Sequence, residues 1–166
     1  MTAPGATTEA MIEYVDIYPT LAELAGLTPP GDLDGRSLVP ILDDPRARGR
    51  DLVLSQFIRP FKPTTPQVMG YSIRTETCRY TRWVEWPSRK TIAEEFYDYR
   101  SAVSATREGS LLIEQENMVA DPAYADSLSR LRTKLDEALS TRIKLKEDES
   151  TGAAEPKRKT KKKKNQ

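Results

Sequence analysis

The chain has no histidine, one cysteine and, in 166 residues, only 37% hydrophobic residues. Without histidine it lacks the commonest general base near neutral pH and the commonest transition-metal ligand. A single cysteine, Cys78, excludes an internal disulfide and a thiolate metal cluster. No apolar run is long enough to span a bilayer, and the opening stretch, "MTAPGATTEAMIEY", has no apolar signal segment. Taken alone, such a chain is expected in the cytoplasm, with no membrane partner.

What is present is unevenly arranged. Behind a net charge of +1, seven of the last ten residues are Lys or Arg. Without those seven, 19 basic residues face 25 acidic ones, a net of −6. The body is mildly acidic and residues 147–166 form a Lys-rich tail with almost no apolar surface, predicted to be disordered. A lysine run binds polyanions by charge alone, but no nucleic-acid module accompanies it, so nucleic acid is not an expected partner.

Periodicity places the elements of the body, residues 1–146. Met11–Val15 reads as a short strand or a lead-in. Asp16 looks like an N-cap for a helix over about 16–25, with Pro19 in its first turn and Gly26 at its C-terminal stop. Ser37 and Pro40 open a short helix of about 37–43, ended by Asp44-Pro45. "DLVLSQFI" (51–58) has strand length, the proline-rich 59–67 is a loop, and Asp34 before Gly35 is a turn residue. Met69–Thr75 and Cys78–Trp86 form a hairpin across Glu76-Thr77, and "EEFYDY" (94–99) is a further strand. Asp121-Pro122 caps a helix over about 122–143 with Tyr124, Leu128, Leu131, Leu135 and Leu139 on one stripe. Asp126/Arg130 and Arg132/Asp136 are its expected exposed ion pairs. The fold class is α+β: a small antiparallel sheet with helices packed on one face.

Cys78 raises a question of chemistry. "CRYTR" (78–82) has the Cys-to-Arg spacing of a C-x-P-S-R signature, but Tyr80 stands where proline belongs and Thr81 where serine belongs. The flanking residues read as strand, and the expected role of Cys78 is a small hydrophobe in a sheet.

Five strings resemble one family in one order. "VDIYPTLAELAGL" with "LDGRSLVPIL", then "SQFIRP", "MGYSIRTETCRYTRWVEW", "EFYDY" and "ENMVADPAYADSLSRLRTKL" are similar to the C-terminal subdomain of type I sulfatases, in the iduronate 2-sulfatase branch. The resemblance covers about residues 1–140. It implies hydrolysis of sulfate esters by a larger enzyme whose N-terminal catalytic domain carries calcium and a formylglycine made from Cys or Ser in C-x-P-S-R. That motif, the metal-binding aspartates and the histidines are not matched here. The expectation is therefore a partial enzyme, opening mid-domain, without catalytic or metal-binding residues of its own and inactive alone. Its inherited role would be scaffolding and shaping the substrate cleft. The implied partners are the missing catalytic domain, in cis or as a separate chain, and a sulfated glycan in the complete enzyme. Family members are typically exported, periplasmic, secreted or lysosomal.

The resemblance singles out three substrate-binding candidates. Arg74, in "SIRT", can meet sulfate or uronate oxygens bidentately, or form an ion pair that pins the sheet. Arg59 and Lys62 can rim the cleft or belong to an ordinary surface loop. Tyr80, Trp83 and Trp86 can stack on a sugar ring or pack the sheet. Residues 100–116 depart from the resemblance. The sheet is expected to expose an apolar side toward the missing domain. The other reading is a non-catalytic interaction protein that contacts polyanions through its tail.

Overall fold

A computed structural model describes residues 4–59, 67–100 and 114–142. The tail, Lys62 and most of the divergent segment lie outside the described residues. The chain enters through a 3-10 turn, Tyr14–Asp16, into α1, Ile17–Leu24, followed by α2, Val39–Asp43. Four strands follow: β1 Val53–Arg59, β2 Gln67–Arg74, β3 Cys78–Trp86 and β4 Thr91–Asp98. The 3-10 turns Met118–Ala120 and Pro122–Tyr124 lead into α3, Ala125–Arg142.

The strands form one antiparallel meander in the order β1-β2-β3-β4. Side chains alternate between faces along each strand, so the register sorts them. Leu54, Tyr71, Ile73, Tyr80, Val84 and Phe96 share the face that α3 covers. Leu128, Leu131 and Leu135 close that core, with Tyr124 and Leu139 packed at its margin. The helical stripe seen in the sequence is thus the stripe that folds the chain. Ion pairing on α3 differs from expectation. Arg132 reaches across to Glu94 on β4, Asp136 receives Arg82 of β3, and Arg130 donates to Ser127 Oγ. Facing strands offered these side chains partly desolvated partners that a solvated i,i+4 pair does not match.

Local signals explain the element ends. The Asp121 side chain accepts from the Ala123 N–H at 2.9 Å, capping the turn before α3. Ser37 Oγ accepts from the Val39 N–H at 3.2 Å. Gly26 has φ 68°, and the Gly26 and Leu27 N–H groups bond back to Glu23 and Ala22, a Schellman stop that a left-handed glycine makes possible. Met11–Val15 forms no strand; its last residues enter the 3-10 turn instead. β4 begins at Thr91, before the apolar run that marks it in sequence. Its outer edge is closed by Asn117, whose Oδ1 accepts from the Phe96 N–H and whose Nδ2 donates to the Glu94 carbonyl.

The second sheet face is not an apolar patch, contrary to expectation. Ser72 and Thr81 lie buried at its centre, Thr81 Oγ1 donating to Ser72 Oγ at 2.9 Å. Around them stand Phe57, Arg59, Arg74, Arg79, Trp83, Glu95 and Tyr97. Exposed large apolar side chains are elsewhere. Nine of the ten among the described residues fall between Ile12 and Leu33, and the tenth is Ile92.

Candidate functional site

Asp16 organises the N-terminal third. It is fully buried, and its carboxylate accepts from the Glu13 N–H at 2.9 Å, the Arg36 N–H at 2.9 Å and the Arg50 guanidinium. Glu13 extends the cluster: its carboxylate faces Arg50 and accepts from the Leu54 N–H of β1 at 2.6 Å. Arg50 also donates its backbone N–H to Met11 and its side chain to the Asp34 carbonyl. Burial alone would raise the Asp16 pKa. The hydrogen bonds and charge of Arg50, with the Arg36 and Glu13 N–H groups, outweigh it and hold the carboxyl at about 2. At neutral pH Asp16 is therefore an anion that ties 11–16, 34–36 and 50–54 together.

Asp16 stands at the expected N-cap position of α1, but with helical φ/ψ and no side-chain bond to that helix, so its carboxylate is an anchor rather than a cap. The α1 hydroxyl Thr20 adds to the same tie, donating to the Asp16 carbonyl at 2.6 Å and accepting from the Leu38 N–H at 2.8 Å. Gly35 is required here, because a Cβ would sit 1.9 Å from the Val15 carbonyl oxygen. No local signal announces the cluster in the sequence, since Asp16 and Arg50 are 34 residues apart.

Two of the three substrate-binding candidates, Arg59 and Arg74, fall on the sheet face away from α3. Arg59, at the end of β1, stacks over Phe57 and Trp83 with its guanidinium carbon 5.7 and 5.1 Å from the ring centroids. The two rings meet edge to face at 5.0 Å, and Gly70 makes room for them: a Cβ there would lie 2.9 Å from Trp83. Arg74, at the end of β2, stacks over Tyr99 at 4.9 Å rather than on a carboxylate among the described residues. It opens onto a groove of about 690 Å³ that also presents Glu9, Arg48, Asp51, Glu76 and Lys134. Arg59 pairs with Val68 in register, six residues before Arg74. At roughly 3.3 Å per residue the two arginines stand about 20 Å apart. They share a face and do not converge.

The remaining candidates sort by burial. Tyr80 is inaccessible in the core, where its hydroxyl bonds Glu94, so it cannot stack on a ligand. Glu94 is held below the usual carboxylate range, chiefly by its hydrogen bonds to Arg132 and further by the Tyr80 hydroxyl, against the opposing effect of burial. It is a bridge between sheet and α3. Trp83 Nε1 donates to Glu95 at 2.8 Å, and Trp86 lies under Arg89. Cys78 opens a strand, half-buried, with its sulfur 3.1 Å from Thr75 Oγ1. Among the described residues no three His, Cys, Asp or Glu side chains stand together as a metal site.

Comparison with known proteins places this architecture. The family described as N-sulphoglucosamine sulphohydrolase, C-terminal, matches residues 1–141. The Delta 4,5-hexuronate-2-O-sulfatase of Bacteroides thetaiotaomicron is 28% identical over 128 residues, covering 76% of this chain and 23% of that protein. Human iduronate 2-sulfatase is 34% identical over 111 residues, covering 49% of this chain and 20% of that protein. The solved structure of a 2-O GAG sulfatase superposes with a TM-score of 0.57 at 27% identity, covering 75% of this chain and 24% of the other. The chain spans about a fifth to a quarter of the length of these relatives. With its four-stranded antiparallel sheet and packed helices, the chain belongs to the N-sulphoglucosamine sulphohydrolase C-terminal family, the C-terminal subdomain of sulfatases.

Proposed function

We propose that this chain serves as the C-terminal subdomain of an iduronate 2-sulfatase-like sulfuric ester hydrolase, bracing the catalytic domain and shaping one wall of its substrate cleft. The observation that carries the reading is the family match over residues 1–141, most of the described structure. The catalytic calcium and formylglycine belong to the catalytic domain in this reading. The described residues do not fit either group: they hold no metal-ligand cluster, and Cys78 begins a strand beside Thr75. Sulfated glycan is the substrate class of the complete enzyme. Arg59, Lys62 and Arg74 are the candidate contacts to its sulfate or uronate oxygens. The separation of Arg59 and Arg74 suits two sites along a glycan rather than one sulfate.

The test is a chimera in which the full chain replaces the matched C-terminal quarter of the Bacteroides Delta 4,5-hexuronate-2-O-sulfatase. Hydrolysis of that enzyme's substrate is expected from the chimera and not from the 166-residue chain, with or without calcium. A soluble, folded chimera without turnover, or turnover by the chain alone, would overturn the reading. In an active chimera, Arg59→Ala and Arg74→Ala are each expected to raise KM several-fold.

A further inference from the structure

Helix α1 is built inside out. The side chains it buries are small or polar, Pro19, Thr20 and Ala22, while Ile17, Leu21 and Leu24 form an exposed stripe at helical spacing. Tyr18 lies beside the stripe and Tyr14 extends it, 92% exposed. Leu21 and Leu24 are 60% and 59% exposed. Large apolar side chains left exposed on one element forgo the stabilisation that burial would give them. A contiguous apolar surface of this kind marks a binding face. The buried side of α1 is meanwhile locked by Asp16 and Thr20, so the helix cannot roll its stripe inward without breaking the ion cluster. A groove of about 560 Å³ between Ile12–Val15 and the start of β1, lined also by Asp34, runs alongside.

We infer that the α1 stripe, with Tyr14, is the surface on which the sulfatase catalytic domain docks. This rests on the reading above and deepens it by naming the contact. The occupant follows from length and chemistry. Three quarters or more of each matched relative lies outside the region this chain matches. The stripe itself carries no charge, which suits an apolar surface of a folded domain and not an anionic glycan or a nucleic acid. None of the stripe residues lies on the sheet face that bears the arginines.

The probe is the catalytic portion of the Bacteroides Delta 4,5-hexuronate-2-O-sulfatase, made as a separate chain and mixed with the full 166-residue chain. Binding is followed by analytical ultracentrifugation, and the contact is mapped by hydrogen exchange. The expected result is a one-to-one complex in which 14–24 gain protection. Leu21→Glu should weaken it at least tenfold, whereas Ile92→Glu, an exposed apolar position on β4, should not. Leu21 is already exposed, so the variant should fold as the parent does. A complex that protects another surface and ignores Leu21→Glu would overturn the inference, and an active chimera would leave the proposed function standing. Absence of any complex would overturn it too. So would a dimer of the chain alone that Leu21→Glu dissociates, which would make a second copy the occupant.

Discussion

Helices α1 and α3 carry apolar stripes of similar spacing, pointed in opposite directions. Leu128, Leu131 and Leu135 of α3 close the core against β2, β3 and β4. Ile17, Leu21 and Leu24 of α1 are exposed and take no part in the core among the described residues. The difference lies in what holds each helix. α3 is held by dispersion and burial across the sheet, supplemented by Arg132–Glu94 and Arg82–Asp136. α1 is held from its polar side by Asp16, Thr20 and Arg50. One helix completes this fold, and the other is fixed in place by polar bonds so that its apolar side stays available.

The sharpest way to break that contrast is to trim one leucine from each helix. Leu135 is fully buried, so Leu135→Ala should cost about 3 kcal/mol through lost burial and a cavity, read by urea unfolding. Leu21→Ala should stay within about 0.5 kcal/mol in the same measurement. Equal costs would mean that α1 packs inside the chain.

Next in size is the polar anchor. Asp16→Asn removes the charge opposite Arg50, whose side chain is largely buried, and should cost about 3 kcal/mol. Protease sensitivity should rise over 11–54 before it rises in the sheet.

Acid probes the same anchor more gently. The folded Asp16 pKa lies at about 2, below its ordinary value of 3.8. The stabilisation is therefore fully present above pH 4 and is lost as pH falls from about 4 through 2. Its size is about 2 kcal/mol by linkage. The parent chain should show that added acid sensitivity relative to Asp16→Asn.

The smallest expected effect on stability comes from the tail. Deleting 147–166 should leave the urea midpoint unchanged while abolishing retention on a heparin column at low salt. A tail-free chain still retained would point to the arginine-bearing sheet face as the polyanion contact.

Much of this was legible in the sequence. β3 has its expected bounds, α3 runs where its stripe predicted, and Gly26 and Asp121 stop and cap as their types suggest. The α+β class followed from the pattern of helices and strands, and the sulfatase relationship from strings in a fixed order. Asp16 was missed as an anchor because its partner comes 34 residues later, and a local rule accounts for an Asp before a helix as a cap. β4 began early because Thr91 and Ala93 pair with Val84 and Trp83 around a bulge at Ile92, an exposed strand end with no buried alternation to mark it. The direction of the α1 stripe was not legible at all. A 3.6-residue apolar period reports that something will cover the helix, but not whether the cover is the chain's own sheet or another domain. For the same reason the exposed apolar surface was expected on the sheet, where Ser72, Thr81 and the arginine–aromatic layer stand instead.

The most direct test of the contrast is Leu21→Glu measured twice, in the free chain and in the chimera with the Bacteroides catalytic domain, by thermal unfolding at one pH and salt. The expected result is an unchanged midpoint in the free chain and a fall of several degrees in the chimera. A fall of equal size in both, or in the free chain alone, would contradict it.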